Sequence, residues 1–316
     1  MLLREAVRDA ARALADAGID SAEFDAVALA AHLLGTSPGE VRKRMVMGAP
    51  VPDGLNDLVS ERARRVPLQH LTGKAGFRRL ELSVGPGVFI PRFETEFVAG
   101  LAITHLLRHC LDAGLALAVP MVVDLCTGSG AIALAIKDEV PVAEVHGVEL
   151  SDLAHAWAIR NRDDLGLDVD IRFGDATLAF ADLEGDVDVV VSNPPYIPVG
   201  AVPIDPEVRD HDPAVSLYGG SSDGLRIPLE VAARAAVLLR PGGFFVMEHA
   251  DVQGDSLPAA LGATGSWQDI EDHADLNGRP RAVTAVRHAL KNQSSRLSRS
   301  PRRSPARPGC VQPGYG

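Results

Sequence analysis

Apolar positions change their period along this chain, and each change marks a different element. Leu3, Val7, Ala10, Ala11 and Leu14 fall on one helical face that ends at Gly18. A second helix is expected from Ser21 through Phe24, Val27, Leu29, Ala31 and Leu34 to Gly35. Ser37 with Glu40 three residues on makes a capping box, and Pro38 takes the first helical position. A fourth helix begins near Asp53 and carries Leu55, Leu58 and Val59. Residues 1–75 therefore read as a small helical domain, and nothing in it offers catalytic chemistry. His32, on an apolar helix, reads as a packed core or boundary histidine. Phe77, Leu80, Leu82 and Val84 then lead into Gly85-Pro86-Gly87, and Val88-Phe89-Ile90 returns. That pattern predicts a β-hairpin about a Gly/Pro turn, with residues 76–98 as the linker and entry to the next domain. Pro91 to Glu96 open a helix that runs through Val98, Leu101 and Leu106.

From 99 to 288 short β-branched runs alternate with helical periods, the pattern of an α/β, Rossmann-like domain on a parallel sheet. The expected strands are Met121 to Val123, Val145 to Val148, Val169 to Phe173, Val187 to Ser192, Phe244 to Met247 and Arg281 to Arg287. A helix is expected from about Asp223 to Leu239, followed by a Pro241-Gly242-Gly243 turn. The irregular stretch 197–222 is long enough to be a lid or substrate loop. Residues 289–316, rich in Ser, Arg and Pro from Asn292 onward, read as a disordered basic tail.

Charge narrows the partners. The 316 residues hold 31 Lys/Arg and 42 acids, a net −11. Nine of the cations and none of the acids lie in 276–316, so residues 1–275 carry 22 against 42, or −20. Residues 1–75 hold ten of each sign, which places that −20 on 76–275. Such a body is ill suited to phosphate backbones, so no stable nucleic-acid partner is expected. No apolar run is long enough to cross a membrane, and Met1-Leu2-Leu3-Arg4-Glu5 is no apolar leader, so we expect a cytoplasmic protein. Cys110, Cys126 and Cys310 are odd in number and far apart, which predicts no disulfide framework and no metal site.

The chemistry concentrates at strand ends. Val187 to Val191 read as a strand buried on both faces, stopped by Asn193-Pro194-Pro195-Tyr196. Neither proline has an N–H, so this rigid corner presents carbonyls, the Asn193 carboxamide and the flat Tyr196 ring. It suits a planar NH2 group, an amide or an exocyclic base amine, whose two hydrogens need two acceptors. Gly128 and Gly130, in the loop Leu125 to Gly130 after Asp124, let a backbone and a helix N-terminus approach a ligand. Ala133 stands where a dinucleotide fingerprint wants a third glycine, so the loop alone does not separate NAD from other adenosyl ligands. Glu149 can take both hydroxyls of a ribose, and Asp175 can meet an adenine amine.

Together these segments resemble the release factor glutamine methyltransferase family over roughly residues 1–288. The motifs are Phe-Ile-Pro-Arg-Phe-Glu-Thr-Glu at 89–96, Asp-Leu-Cys-Thr-Gly-Ser-Gly-Ala-Ile-Ala-Leu at 124–134, Asn-Pro-Pro-Tyr at 193–196 and Glu-Val-Arg-Asp-His-Asp-Pro at 207–213. Gly219-Gly220 and Asp223-Gly224-Leu225 belong to the same pattern. The resemblance implies N5-methylation, with S-adenosylmethionine, of the glutamine in the Gly-Gly-Gln motif of bacterial class 1 release factors. It further implies a substrate-docking role for 1–75 and a methyltransferase domain at 99–288. Carried over, the cofactor would meet Arg92, Asp124, Cys126, Thr127, Gly128, Ser129, Gly130, Glu149, Asp175, Ala176 and Asn193. The glutamine amide would lie on Asn193, Pro194, Pro195 and Tyr196, with Asn193 and Pro194 catalytic. Phe93 stands where the family usually has proline, and Glu149 where it commonly has Asp. A ribosomal-protein glutamine methyltransferase or a nucleic-acid adenine N6-methyltransferase would share the corner. An NAD oxidoreductase or a silent adenosyl-ligand sensor stands further off.

Overall fold

The structure, a computed structural model, describes residues 1–112 and 119–288; the expected basic tail at 289–316 lies outside them. The first elements are helices α1 (Leu3–Asp16), α2 (Ala22–Leu33), α3 (Pro38–Val46), α4 (Leu55–Ala63) and α5 (Leu68–Thr72). Leu3, Ala6, Val7, Ala10 and Leu14 bury one face of α1 in a core shared with α2 and α4. Ser37 caps α3 by accepting the Glu40 N–H at 3.2 Å. The Glu40 carboxylate pairs instead with Arg44 and Lys43, so one half of the capping box is present. His32 is exposed rather than packed, because the core of α2 is carried by Ala26, Leu29 and Ala30.

The hairpin forms one turn earlier than the Gly/Pro signal implies. Strands β1 (Lys74–Phe77) and β2 (Leu80–Ser83) pair antiparallel with Phe77 opposite Leu80, so Arg78-Arg79 makes the turn and residues 88–90 form no strand. Arg78 takes φ +52° and is held by the Glu139 carboxylate and the Glu96 carbonyl. Gly85 and Gly87 serve close packing, not strand reversal. A Cβ on Gly85 would come within 2.6 Å of Trp157, and one on Gly87 within 2.6 Å of Leu153.

The second layer system begins with α6 (Phe93–Asp112) and continues β3 (Met121–Leu125), α7 (Ala131–Glu139), β4 (Glu144–Glu149), α8 (Asp152–Leu165), β5 (Val169–Phe173) and β6 (Val187–Ser192). Then follow α9 (Pro206–His211), α10 (Arg226–Leu238), β7 (Leu239–Glu248), α11 (Ser256–Ala263), β8 (Trp267–Ala274) and β9 (Pro280–Arg287). The seven strands lie in the order β5-β4-β3-β6-β7-β9-β8, parallel from β5 to β7 and antiparallel beyond. The architecture is thus α/β with a mostly parallel, Rossmann-like sheet. The chain winds outward from β3 to β5 and then returns to lay β6 beside β3. That reversal is the switch point where such sheets open a ligand crevice. Helices cover both faces, giving one core around Leu106, Ile132 and Leu134 and another around Phe245, Leu238 and Leu257. Val187, Val189, Val190 and Val191 are all buried, as a central strand with two covered faces requires.

Three differences from the sequence reading concern this domain. Pro241-Gly242-Gly243 lies within β7, whose pairing with β6 is irregular between Val187 and Val189. The stretch 197–222 carries α9 and a single 3-10 turn at Ala214–Ser216. The edge strand β8 and helix α11 were not expected, because Gln268, Asp269, Glu271 and Asp272 are exposed and leave β8 without alternation.

Candidate active site

The crevice at the ends of β3 and β6 holds a cavity of about 460 Å³, within the range of small-molecule sites. Its first wall is the loop after β3. Cys126, Gly128 and Gly130 take φ of +68°, +60° and +85°, which turns the chain back so that α7 starts at the cavity. Asp124 holds the loop from behind: its Oδ2 accepts from Thr127 Oγ1 at 2.6 Å and from the Ala133 N–H at 3.2 Å. Burial pushes its carboxyl up to about 7. Asp124 is fully buried and, like Gly130, is not among the cavity residues; Cys126, Thr127, Gly128 and Ser129 are. Opposite, a Cβ on Gly147 would stand 3.2 Å from Thr127 Oγ1, so glycine leaves room for that side chain. The Cys126 thiol is free, and burial raises its pKa, which leaves it neutral and a poor nucleophile.

Glu149 closes β4. Its Oε2 accepts from the Gly128 N–H and its Oε1 from the Ser151 N–H, each at 2.8 Å. Burial raises the carboxyl, and these amide bonds oppose that rise. A carboxylate oxygen has two lone pairs, so each can still accept from a ligand hydroxyl. Past β5, Asp175 spends Oδ1 on the N–H and hydroxyl of Thr177, at 2.8 and 2.7 Å, with Ala176 buried next to it.

The far wall is the Asn-Pro-Pro-Tyr corner. Ser192 Oγ donates to the Leu125 carbonyl at 2.6 Å and ties the end of β6 to β3. Asn193 Nδ2 donates to Thr95 Oγ1 at 3.1 Å, which leaves Oδ1 as the free end of the carboxamide. The Tyr196 carbonyl is taken by buried Gln253, whose Nε2 stands 3.0 Å from it and 2.9 Å from the Asp223 carbonyl. Gly224 makes this possible, since at φ +75° any Cβ there would lie 2.1 Å from the Tyr196 oxygen. Among the described residues no hydrogen bond uses the carbonyl of Pro194. Asn193, Pro195 and Tyr196 line the cavity; Pro194 does not. Arg92 lines it too, but its guanidinium sits 2.7 Å from Asp212 Oδ2 and 5.1 Å from the Phe89 ring centre. Arg92 thereby fastens the segment after α9 over the cavity mouth.

Sequence reading missed Thr95, Glu248 and Gln253. Glu248, 2% exposed, accepts from the Tyr196 hydroxyl at 3.1 Å. The signal was an acid ending a strand, which means nothing until that strand is known to neighbour β6. Among the described residues no group of three or more His, Cys, Asp or Glu side chains is placed to hold a metal.

Two family descriptions match the chain: the PrmC N-terminal domain over residues 5–73 and the methyltransferase small domain over residues 102–202. A Streptomyces coelicolor protein described as release factor glutamine methyltransferase is 50% identical over 292 residues, covering 90% of this chain and 98% of that one. The Mycobacterium tuberculosis protein of the same description is 43% identical over 293 residues, covering 91% and 92%. A Streptomyces pristinaespiralis protein described as a 4-amino-L-phenylalanine/4-methylamino-L-phenylalanine methyltransferase is 38% identical over 291 residues, covering 90% and 95%. All three align along nearly their whole length.

Proposed function

The chain belongs to the release factor glutamine methyltransferase family, and from that premise we propose its reaction: N5-methylation of the glutamine in the Gly-Gly-Gln motif of bacterial class 1 release factors. The observation that carries this reading is the orientation of Asn193. With its NH2 engaged by Thr95, its oxygen is the end left for a substrate. The Pro194 carbonyl, which no hydrogen bond among the described residues uses, is proposed as the second acceptor although Pro194 itself does not line the cavity. Two acceptors and no donor match a primary carboxamide.

Bound S-adenosylmethionine supplies an electrophilic methyl on a sulfonium. Glu149 suits its ribose diol, Asp175 and Ala176 its adenine, and Cys126 to Ser129 its methionine part. Asp124 and Gly130 shape that loop from behind. Arg92, which lines the cavity and pairs with Asp212, is proposed to meet the cofactor there.

An amide nitrogen is a weak nucleophile because its lone pair is delocalised. Asn193 Oδ1 and the Pro194 carbonyl each accept one N–H, which aims the nitrogen along the line of attack. The same oxygens stabilise the positive charge that nitrogen gains as the bond forms. Tyr196 and Pro195 supply a flat wall for the amide. No base is needed for attack, and the proton leaves afterwards.

Residues 1–75 are proposed to dock the protein substrate, with 99–288 as the catalytic domain. The −20 charge on residues 76–275 supports a protein rather than a nucleic-acid substrate. Release factors act in the cytoplasm, and we place the enzyme there; among the described residues no helix is long and apolar enough to cross a membrane.

Incubation with methyl-labelled cofactor and a panel of acceptors tests the reading. The panel holds a class 1 release factor, ribosomal proteins, an adenine-containing oligonucleotide and 4-amino-L-phenylalanine. Label should enter the release factor and not the other three; label in another acceptor and none in the release factor would overturn it.

A further inference from the structure

The Asn-Pro-Pro-Tyr corner is held by very little of its own main chain. Pro194 and Pro195 carry no N–H. Among the described residues the Tyr196 carbonyl is the one main-chain group of residues 193–196 that makes a hydrogen bond. Its donor is Gln253 Nε2, at 3.0 Å. Tyr196 is thereby held at both ends, because its hydroxyl donates to Glu248 Oε1 at 3.1 Å.

Gln253 follows β7 in a single 3-10 turn, Asp251–Gln253, and is 2% exposed. It does not line the cavity, and both polar atoms of its carboxamide are engaged within the protein. Nε2 donates to the Tyr196 carbonyl and, at 2.9 Å, to the Asp223 carbonyl, while Oε1 accepts from the Ala250 N–H at 3.0 Å. Two carbonyls on one side and an N–H on the other fix the orientation of the amide, with its NH2 toward the corner. The turn that carries it is itself anchored. The Gln253 N–H donates to the Ala250 carbonyl at 2.8 Å, and a Cβ on Gly254 would stand 2.6 Å from Pro280 at the start of β9.

The two carbonyls that share Gln253 depend on it unequally. Asp223 precedes α10, whose start has other ties: the Ile227 N–H to the Gly219 carbonyl at 2.9 Å, the Arg226 N–H to Ser221 Oγ at 3.0 Å and the Leu225 N–H to Asp223 Oδ1 at 3.1 Å. The Tyr196 carbonyl has Gln253 alone among the described residues. Loss of this amide therefore falls on the corner. With two prolines in sequence the corner is stiff, so rotation of the Tyr196 peptide swings its acceptors as a unit.

We propose that Gln253 is a positioning residue for methyl transfer: from outside the cavity it holds the corner by the Tyr196 carbonyl and so aims the Asn193 and Pro194 acceptors. This rests on the reading of the corner as a carboxamide site. Gln253→Glu keeps the shape but sets an oxygen in place of the donor against two carbonyl oxygens. Gln253→Met keeps the length and removes the donor.

The test is steady-state kinetics of the full chain with a class 1 release factor, beside calorimetry of S-adenosylmethionine binding. Gln253→Glu and Gln253→Met should each lower kcat by about 10–100-fold, the scale of a misplaced reacting group. The KM for the release factor, the cofactor affinity and the binding stoichiometry should stay near wild type, so the loss is not one of folded enzyme. Combined with Asn193→Ala, either substitution should cost less than the product of the two separate losses, because both act on one set of acceptors. Wild-type kcat in a folded variant, even one with a lowered melting temperature, would overturn the inference. So would a fall in cofactor affinity as large as the fall in kcat, or losses that multiply fully with Asn193→Ala. Should Gln253→Glu fail to fold, Gln253→Met decides by the same readings. A wild type inert on the release factor would count against the function proposed above instead.

Discussion

The two ends of the cavity are built by different means. At the end read as the cofactor's, each functional group is fixed by bonds between near neighbours in sequence: Thr127 to Asp124 over three residues, Ala133 to Asp124 over nine, Glu149 to Gly128 over 21. At the corner the bonds reach far along the chain. Asn193 to Thr95 spans 98 residues, Tyr196 to Glu248 spans 52, and Tyr196 to Gln253 spans 57. The rim extends this outward, with Arg92 to Asp212 over 120 residues and Arg62 to Glu207 over 145. A locally built loop folds with its own strand and helix. A corner assembled from distant residues depends on how the whole domain, and the helices before it, come together.

The contrast breaks most severely at Arg62. This guanidinium is 4% exposed, 2.7 Å from Asp25 on α2 and 2.7 Å from Glu207 on α9. Removing one partner of a buried ion pair strands the other, so Arg62→Ala should lower unfolding free energy by about 3–5 kcal/mol. Because α9 feeds the cavity mouth, the KM for the protein substrate should rise while cofactor affinity holds. Denaturant titration and steady-state kinetics check both, and an unaffected KM would detach the helical domain from the site.

Asn193→Ala acts at the corner alone. Turnover should fall about 10²–10³-fold, the scale of losing one well-placed electrostatic partner, with cofactor affinity little changed. A comparable loss in cofactor affinity would merge the two ends of the cavity into one. Glu149→Ala should do the reverse, weakening cofactor binding by about 1–3 kcal/mol in calorimetry through lost hydrogen bonds. Turnover at saturating cofactor should change much less.

Phe93→Pro should do least. Phe93 is exposed at the first position of α6, where proline's missing N–H and fixed φ cost little. Melting temperature and kcat should stay near wild type; a sharp loss of turnover would show that Phe93 holds Arg92 in place.

The same contrast explains what could be read in advance. Strand-end acids, the glycine loop and the proline corner are local patterns, and β3 to β6 form where the apolar runs lie. Thr95, Glu248 and Gln253 matter only through contacts across the fold, so no spacing in the sequence marks them. The hairpin was misplaced for a physical reason of another kind. Gly85 and Gly87 look like turn glycines but are small so that Trp157 and Leu153 can pack on them, while Arg78-Arg79 turns the chain. The edge strand β8 has too little buried surface to print an alternation.

The central claim, that the corner receives a primary carboxamide of a protein loop, is tested most directly by locating the transferred methyl. A release factor treated with enzyme and cofactor is digested and fragmented in a mass spectrometer, beside one carrying Gln→Glu in its Gly-Gly-Gln motif. The account predicts one methyl on the side-chain nitrogen of that glutamine and none on the Gln→Glu protein. Methylation of the Gln→Glu protein, or a methyl on any other residue, would contradict it.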